Sequence, residues 1–244
     1  MSGPASPARA GQRQLPLALR YPPDQRFETY VAVDGSAVAQ VRALADGRAA
    51  ESLYLVGAAG SGKTHLALAA CAHAEAQGRS SGYLAIAAAA RRLRDALEGL
   101  HANHLVALDG IDAIAGHRED ELALFDFHNR AHDAGRQLLY TARRLPDALG
   151  MDLPDLRSRL SKRARIALAP LDDEGRRELL RLRARRRRLQ MDAAAIDWLL
   201  RHVVRDLGSL TGLLDTLDQA SLAAQRRVTV PFMRQVLEDG AATD

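Results

Sequence analysis

The chain has 244 residues, 47% hydrophobic and 26% charged, with a formal net charge of +4, a balance that supports a sizeable folded core and excludes a low-complexity or disordered chain. No apolar run approaches the length of a membrane helix, and the start, rich in Ser, Pro, Ala and Arg, lacks the apolar core of a signal peptide. The single cysteine, Cys71, lies in an apolar helical stretch and reads as a buried thiol in a reducing cytoplasm, while the excess of arginine over lysine permits an anionic partner without demanding one.

In chain order, residues 1–20 form a tail ending in Gln14-Leu15-Pro16-Leu17-Ala18-Leu19. Apolar residues alternate here, with no neighbouring strand to pair and with Pro16 stiffening the segment. An extended peptide of this kind places Leu15, Leu17 and Leu19 in pockets while Gln14 supplies a polar anchor. An edge strand or a staple onto the core is the competing reading. The turn Pro22-Pro23-Asp24 leads to Phe27-Glu28-Thr29-Tyr30-Val31, then to a helix over residues 36–45 capped by Ser36. Aromatic residues are scarce, so Phe27 and Tyr30 stand out. They either line a ligand or close the edge of the core.

Residues 52–56 read as a buried strand and residues 65–76 as a helix, and between them lies Gly57-Ala58-Ala59-Gly60-Ser61-Gly62-Lys63-Thr64. This is a complete G-x-x-x-x-G-K-[ST] phosphate loop in its required strand-to-helix setting. Glycines let the backbone N–H groups turn inward on a phosphate, and the helix N-terminus adds partial positive charge. Gly57, Gly60, Ser61 and Gly62 would form the cradle. Lys63 would reach the terminal phosphates of ADP or ATP, and Thr64 would ligate Mg²⁺.

A second strand over 82–86 and an arginine-studded helix over 88–97 follow. The third strand, 104–108, ends in Asp109, where a carboxylate outside the strand C-terminus would be the second Mg²⁺ partner. Asp112 reads as a turn or cap residue in preference to a base. A helix over 119–134 and a fourth strand over 137–141 bring Thr141 to the same edge of the sheet, as part of the nucleotide site. Residues 153–160 precede a fifth strand over 164–168, closed by Pro170. The alternation predicts an α/β fold, a parallel sheet between helices over residues 21–170. Residues 171–240 read as a small helical lid. Asp172 caps a helix running through Arg185-Arg186-Arg187-Arg188; further helices cover 192–204 and 209–226, and a short one follows Thr229 and Pro231. The arginine run reads first as a solvated helix face over buried Leu179, Leu180, Leu182 and Leu189, and second as a DNA contact.

The ordered set of Phe27 to Val31, the phosphate loop, Leu108-Asp109-Gly110-Ile111-Asp112, residues 153–160, and Leu217-Asp218-Gln219-Ala220-Ser221 before residues 228–232 resembles the AAA+ module of the bacterial replication initiator DnaA. The resemblance covers nearly the whole chain. Residues 14–19 also resemble the peptide by which bacterial proteins dock onto the DNA polymerase sliding clamp. With the chain ending soon after the lid, this favours the family's regulatory inactivators over its initiators. The resemblance then implies a replication inhibitor in the cytoplasm, at the nucleoid and replisome, that docks on the DNA-loaded clamp and stimulates ATP hydrolysis by a DnaA-type initiator. Arg159 matches the family's arginine finger acting in trans, with Arg157 as a rival. The family's second acidic residue after the strand-end Asp is here Gly110, its fourth strand leads into Thr141-Ala142-Arg143, and the lid's nucleotide-sensing arginine falls at Gly208, with Arg205 one turn earlier. Autonomous ATPase activity is therefore expected to be weak or nil. A helicase-loader-type ATPase that binds DNA and a small-molecule kinase are the alternatives; a homo-oligomer and direct DNA contact stay open.

Overall fold

The computed structural model describes residues 21–22, 24–32, 35–202 and 207–241. The segment 14–19 lies outside them, as does Arg205. Five strands, β1 (Leu53–Val56), β2 (Ser81–Ala85), β3 (Leu105–Asp109), β4 (Gln137–Ala142) and β5 (Ala164–Ala167), form one parallel sheet in the order β2-β3-β4-β1-β5. The three inner strands read as apolar runs because both of their faces are covered. Successive side chains point to opposite faces. Tyr54, Val106, Leu108, Leu138 and Tyr140 pack on one side with Leu124, Phe127, Leu156 and Leu160. On the other, Leu53, Leu55, Leu105, Ala107 and Leu139 pack with Val41, Leu44, Leu66 and Ala70. The chain leaves β1 toward one edge and returns to β5 on the other side, so the crevice outside the carboxyl ends of β1, β3 and β4 is the place for a ligand.

Helix α1 (Ser36–Ala45) and α2 (Lys63–Ala76) cover one face of the sheet. Cys71 is fully buried on α2, its thiol donating to the Gly82 carbonyl at 3.5 Å, and burial pushes its pKa up to about 12. It is an inert core thiol. Ser36 is the first helical residue and Gly35 holds the cap position, in place of the expected Ser36 cap.

The helix expected over 88–97 is instead two, α3 (Ile86–Ala89) and α4 (Leu93–Glu98), and Ile86 belongs to the first of them rather than to β2. The break has a tertiary cause. Asp120, 3% exposed on α5 (Arg118–Asp133), accepts from the backbone N–H of Arg91 at 2.6 Å and of Leu93 at 3.2 Å, and Arg91 adopts a left-handed φ of 68°. Local helical propensity yields to a buried carboxylate that needs donors.

Helix α6 (Pro154–Ser161) precedes β5, and beyond β5 come α7 (Asp173–Arg186), α8 (Ala193–His202), α9 (Leu207–Ala224) and α10 (Val230–Ala241). Asp172 caps α7 as its sequence predicts, Oδ1 accepting from the Gly175 N–H at 2.8 Å. The last helix spans 12 residues, longer than expected. Leu179, Leu180, Leu199, Leu217, Phe232 and Met233 make the lid a core of its own, with Val31 packed against it.

Candidate nucleotide site

The phosphate loop leaves β1 at Val56 and enters α2 through Gly62, whose φ of 87° lies in the left-handed region. A Cβ there would also stand 2.6 Å from the Tyr30 ring, so glycine is required twice over. Ser61 is buried, and the Lys63 ammonium is half-buried, donating to the carbonyls of Gly57 and Ala58, both at 2.7 Å. Burial lowers the Lys63 pKa, aided by Arg143, while Asp109 and Asp112 oppose the shift. The loop is thus set by internal bonds around one cation.

Asp109, at the end of β3, is the hub of the crevice. One carboxylate oxygen accepts from the Thr141 hydroxyl at 2.5 Å; the other accepts from Thr64 and from Tyr83, each at 2.8 Å. Lys63, Thr64, Asp109 and Thr141 are therefore brought together. Tyr83, on β2, was not a candidate on sequence; its pKa is raised first by burial and then by the charge of Asp109. Only the lateral neighbourhood of β2 and β3, with Ala85 beside Asp109, reveals it. The donor set fits Mg²⁺. Thr64 and Asp109 offer adjacent oxygens, and the described residues contain no cluster of three His, Cys, Asp or Glu that would hold a metal without nucleotide phosphates.

The expected departure at Gly110 has a backbone component as well. Its φ is 78° and its N–H donates to Thr141 Oγ1 at 2.9 Å, so the chain turns left-handed directly after Asp109. A glutamate here would have to adopt a conformation that L-residues rarely take. Asp112 accepts twice from the Arg143 N–H, at 3.1 and 2.9 Å, which is the turn-holding role expected of it.

Beside the loop opens a cavity of about 470 Å³ between core and lid, walled by residues 60–65, Tyr30 and Val31 on one side and by Leu171, Leu179 and Arg183 on the other. The two conspicuous aromatics divide the alternatives between them. Phe27 closes the core at 5% exposure, edge-on to His73, whereas Tyr30 lines the cavity edge-on to His65. Burial lowers the pKa of His65, and Nε2 of that ring meets the Arg26 carbonyl at 2.9 Å.

The arginine run at the end of α7 is largely engaged within the chain. Arg187 bonds Asp24 at 2.5 Å and Asp215 at 2.8 Å, and Arg186 lies 3.5 Å from Asp24. On α6, Leu156 and Leu160 are buried, while Arg157 and Arg159 are exposed. Two positions apart on a helix means roughly 200° around its axis, so the two guanidinium groups address different directions.

Parallel sheet, phosphate loop, strand-end carboxylate and helical lid together define an AAA+ P-loop nucleotide-binding protein. The fold is similar to domain III of the replication initiation protein DnaA from Thermotoga maritima, with a TM-score of 0.73 and 21% identity over 90% of this chain and 98% of that one. It is also similar to AMPPCP-bound DnaA from Aquifex aeolicus, with a TM-score of 0.65 and 21% identity over 83% of this chain and 67% of that one. For the RuvB Holliday junction branch migration motor of Thermotoga maritima the TM-score is 0.60 at 16% identity, over 87% of this chain and 73% of that one. A family model described as IstB-like ATP binding protein matches residues 13–139, and one described as Hda, lid domain, matches residues 173–237. The chain belongs to the IstB-like ATP-binding protein family, and with this lid and fold it is a Hda/DnaA-like AAA+ protein.

Proposed function

We propose that this protein binds Mg²⁺-ADP or Mg²⁺-ATP in the crevice and acts as a negative regulator of replication initiation by making a DnaA-type initiator hydrolyse its own ATP. Lys63 holds the terminal phosphates, Thr64 and Asp109 hold Mg²⁺, and Thr141 fixes Asp109 from the neighbouring strand. The observation that carries the reading is an asymmetry within one crevice. Its binding groups converge on Asp109, yet the next residue is a left-handed glycine with no carboxylate to orient water. Such a site holds a nucleotide and turns it over slowly, so the hydrolysis to be stimulated is another protein's. The Hda lid match supports the regulator class.

In this reading Gln14, Leu15, Leu17 and Leu19 dock the protein on the DNA-loaded sliding clamp at the replisome. Arg159 enters the initiator's ATP site in trans. Its guanidinium is permanently charged, planar and exposed, suited to paired hydrogen bonds to charge developing on the transferring phosphoryl group. The IstB-like match across the core favours one other reading, a DNA-binding helicase-loader-type ATPase. The test is a reconstituted assay of initiator ATP hydrolysis with and without clamp-loaded DNA. Stimulation that needs the clamp, and disappears in Gln14→Ala with Leu17→Ala, supports the regulator. No stimulation in either condition, together with tight single-stranded DNA binding, would favour the loader.

A further inference from the structure

The Asp109 carboxylate is held from both sides of its own strand, because β3 runs between β2 and β4 in the sheet. From β4 the Thr141 hydroxyl donates to one oxygen, and since Thr141 Oγ1 already accepts from the Gly110 N–H at 2.9 Å, its proton is committed to Asp109. From β2 the Tyr83 hydroxyl donates to the other oxygen at 2.8 Å. Tyr83 is paired with Ala107 and Ala85 with Asp109, so the tyrosine lies on the same face as the carboxylate but two residues back. Ala85, beside the carboxylate, carries only a methyl group, and the phenol reaches Asp109 along the diagonal, about 8 Å from Cα to Cα. The second donor to that oxygen is Thr64, also at 2.8 Å. An ionised carboxylate offers about four acceptor positions, and the three hydroxyls take three of them. One is left for a cation. Of the two donors to the shared oxygen among the described residues, Thr64 is itself a metal ligand in the proposed site, whereas Tyr83 is not. The phenol therefore holds the carboxylate independently of what the phosphate loop binds.

We propose that Tyr83 is a positioning residue for the metal of a bound Mg²⁺-nucleotide, its hydroxyl acting with that of Thr141 to fix the orientation of the Asp109 carboxylate, so that the remaining acceptor position is available to an ion at Thr64. Without the phenol the carboxylate is free to turn about its Cβ–Cγ bond, and ordering it again costs part of the metal's affinity. The phosphates are held by the loop and Lys63, so the effect is confined to the metal. The inference rests on the crevice being a Mg²⁺-nucleotide site.

The experiment titrates the full-length protein with ADP, in EDTA and with increasing Mg²⁺, for wild type, Tyr83→Phe, Asp109→Asn and the double variant, and records the thermal midpoint of each ligand-free protein. Tyr83→Phe should raise the Mg²⁺ concentration at half-maximal enhancement of ADP binding by about tenfold and leave ADP affinity in EDTA within about twofold of wild type. In the Asp109→Asn background the same substitution should change nothing, since the tyrosine then has no carboxylate to hold. A tyrosine that merely joins β2 to β3 gives a different pattern. A lowered midpoint with the Mg²⁺ requirement unchanged, or ADP binding weakened equally with and without Mg²⁺, overturns the inference; so does a Tyr83→Phe effect that persists in Asp109→Asn. If Tyr83→Phe does not fold, wild type carries the test: Mn²⁺ in place of Mg²⁺ should broaden the ring NMR signals of Tyr83 in the ADP complex, and sharp signals at saturating Mn²⁺ overturn it. Folded wild-type protein that binds ADP in neither condition removes the nucleotide reading and this inference with it, whereas normal Mg²⁺-ADP binding by wild type with an unaffected Tyr83→Phe removes the inference alone.

Discussion

The crevice at the carboxyl edge of the sheet and the exposed turn of α6 hold their cations under opposite conditions. In the crevice Lys63 is half-buried and bonded to two loop carbonyls, and three hydroxyls converge on Asp109. On α6 the Arg157 and Arg159 side chains lie in solvent without a hydrogen bond or ion pair to a described residue. A preorganised set of donors and acceptors needs only its ligand. An exposed guanidinium contributes little to the fold, which leaves those on α6 available for the trans role proposed for Arg159. Under the proposed function, the contrast separates binding, which falls to this chain's crevice, from hydrolysis, which falls to the partner's site.

The sharpest way to break this comparison is Arg159→Ala. Arginine fingers contribute about 10³ to 10⁵ in rate, so the variant should lose initiator stimulation by at least about 10³-fold while its own nucleotide affinity and thermal midpoint stay unchanged; Arg157→Ala should be mild. Near-normal stimulation by Arg159→Ala in a hydrolysis assay would place the finger elsewhere. The reciprocal variant is Lys63→Ala, which removes the cation from the crevice. Mg²⁺-ADP affinity should fall by about 3 kcal/mol, roughly a hundredfold, as read by isothermal titration, and an unchanged affinity would mean the loop is not the phosphate site.

A smaller effect lies in the core beneath α6. His128, 2% exposed, hydrogen-bonds the Tyr140 hydroxyl at 2.7 Å, and its pKa is lowered to about 4, first by burial and then by the charges of Arg163 and Arg159. A histidine whose folded pKa is depressed binds its proton more readily when unfolded. Stability is therefore intact above about pH 6.5 and falls as the pH drops toward 4, on the order of 2 kcal/mol from this residue. Chemical denaturation across that range should show a flatter profile in His128→Gln; parallel profiles would assign the acid sensitivity to other groups. The smallest effect is Gly110→Ala. A Cβ there meets no atom within 4 Å, so the cost is the left-handed backbone alone, about 1 kcal/mol or a midpoint lower by about 2–4 °C. A stabilised Gly110→Ala protein would show that the turn after Asp109 is not held left-handed.

The strands, the phosphate loop and the Asp172 cap were legible because each is a local pattern whose physics is complete within a few residues. So was Asp109, an acid at the end of a buried run. The breaks and additions were not, because their causes lie far away in sequence. Asp120 interrupts the helix before it from 27 to 29 positions downstream, and Tyr83 reaches Asp109 from the neighbouring strand. The choice between Phe27 and Tyr30 was open for the same reason. Both sit beside one short turn, and only the packing of His73 and His65 sends one inward to the core and the other to the cavity.

The central claim, binding here and hydrolysis in the partner, is tested most directly by following which nucleotide is consumed. Radiolabelled ATP is loaded either on the initiator or on this protein, the two are mixed on clamp-loaded DNA, and conversion to ADP is followed over time. The label should be converted rapidly when it starts on the initiator and persist when it starts on this protein. Rapid conversion of the label carried by this protein, with the initiator's ATP left intact, would contradict the account.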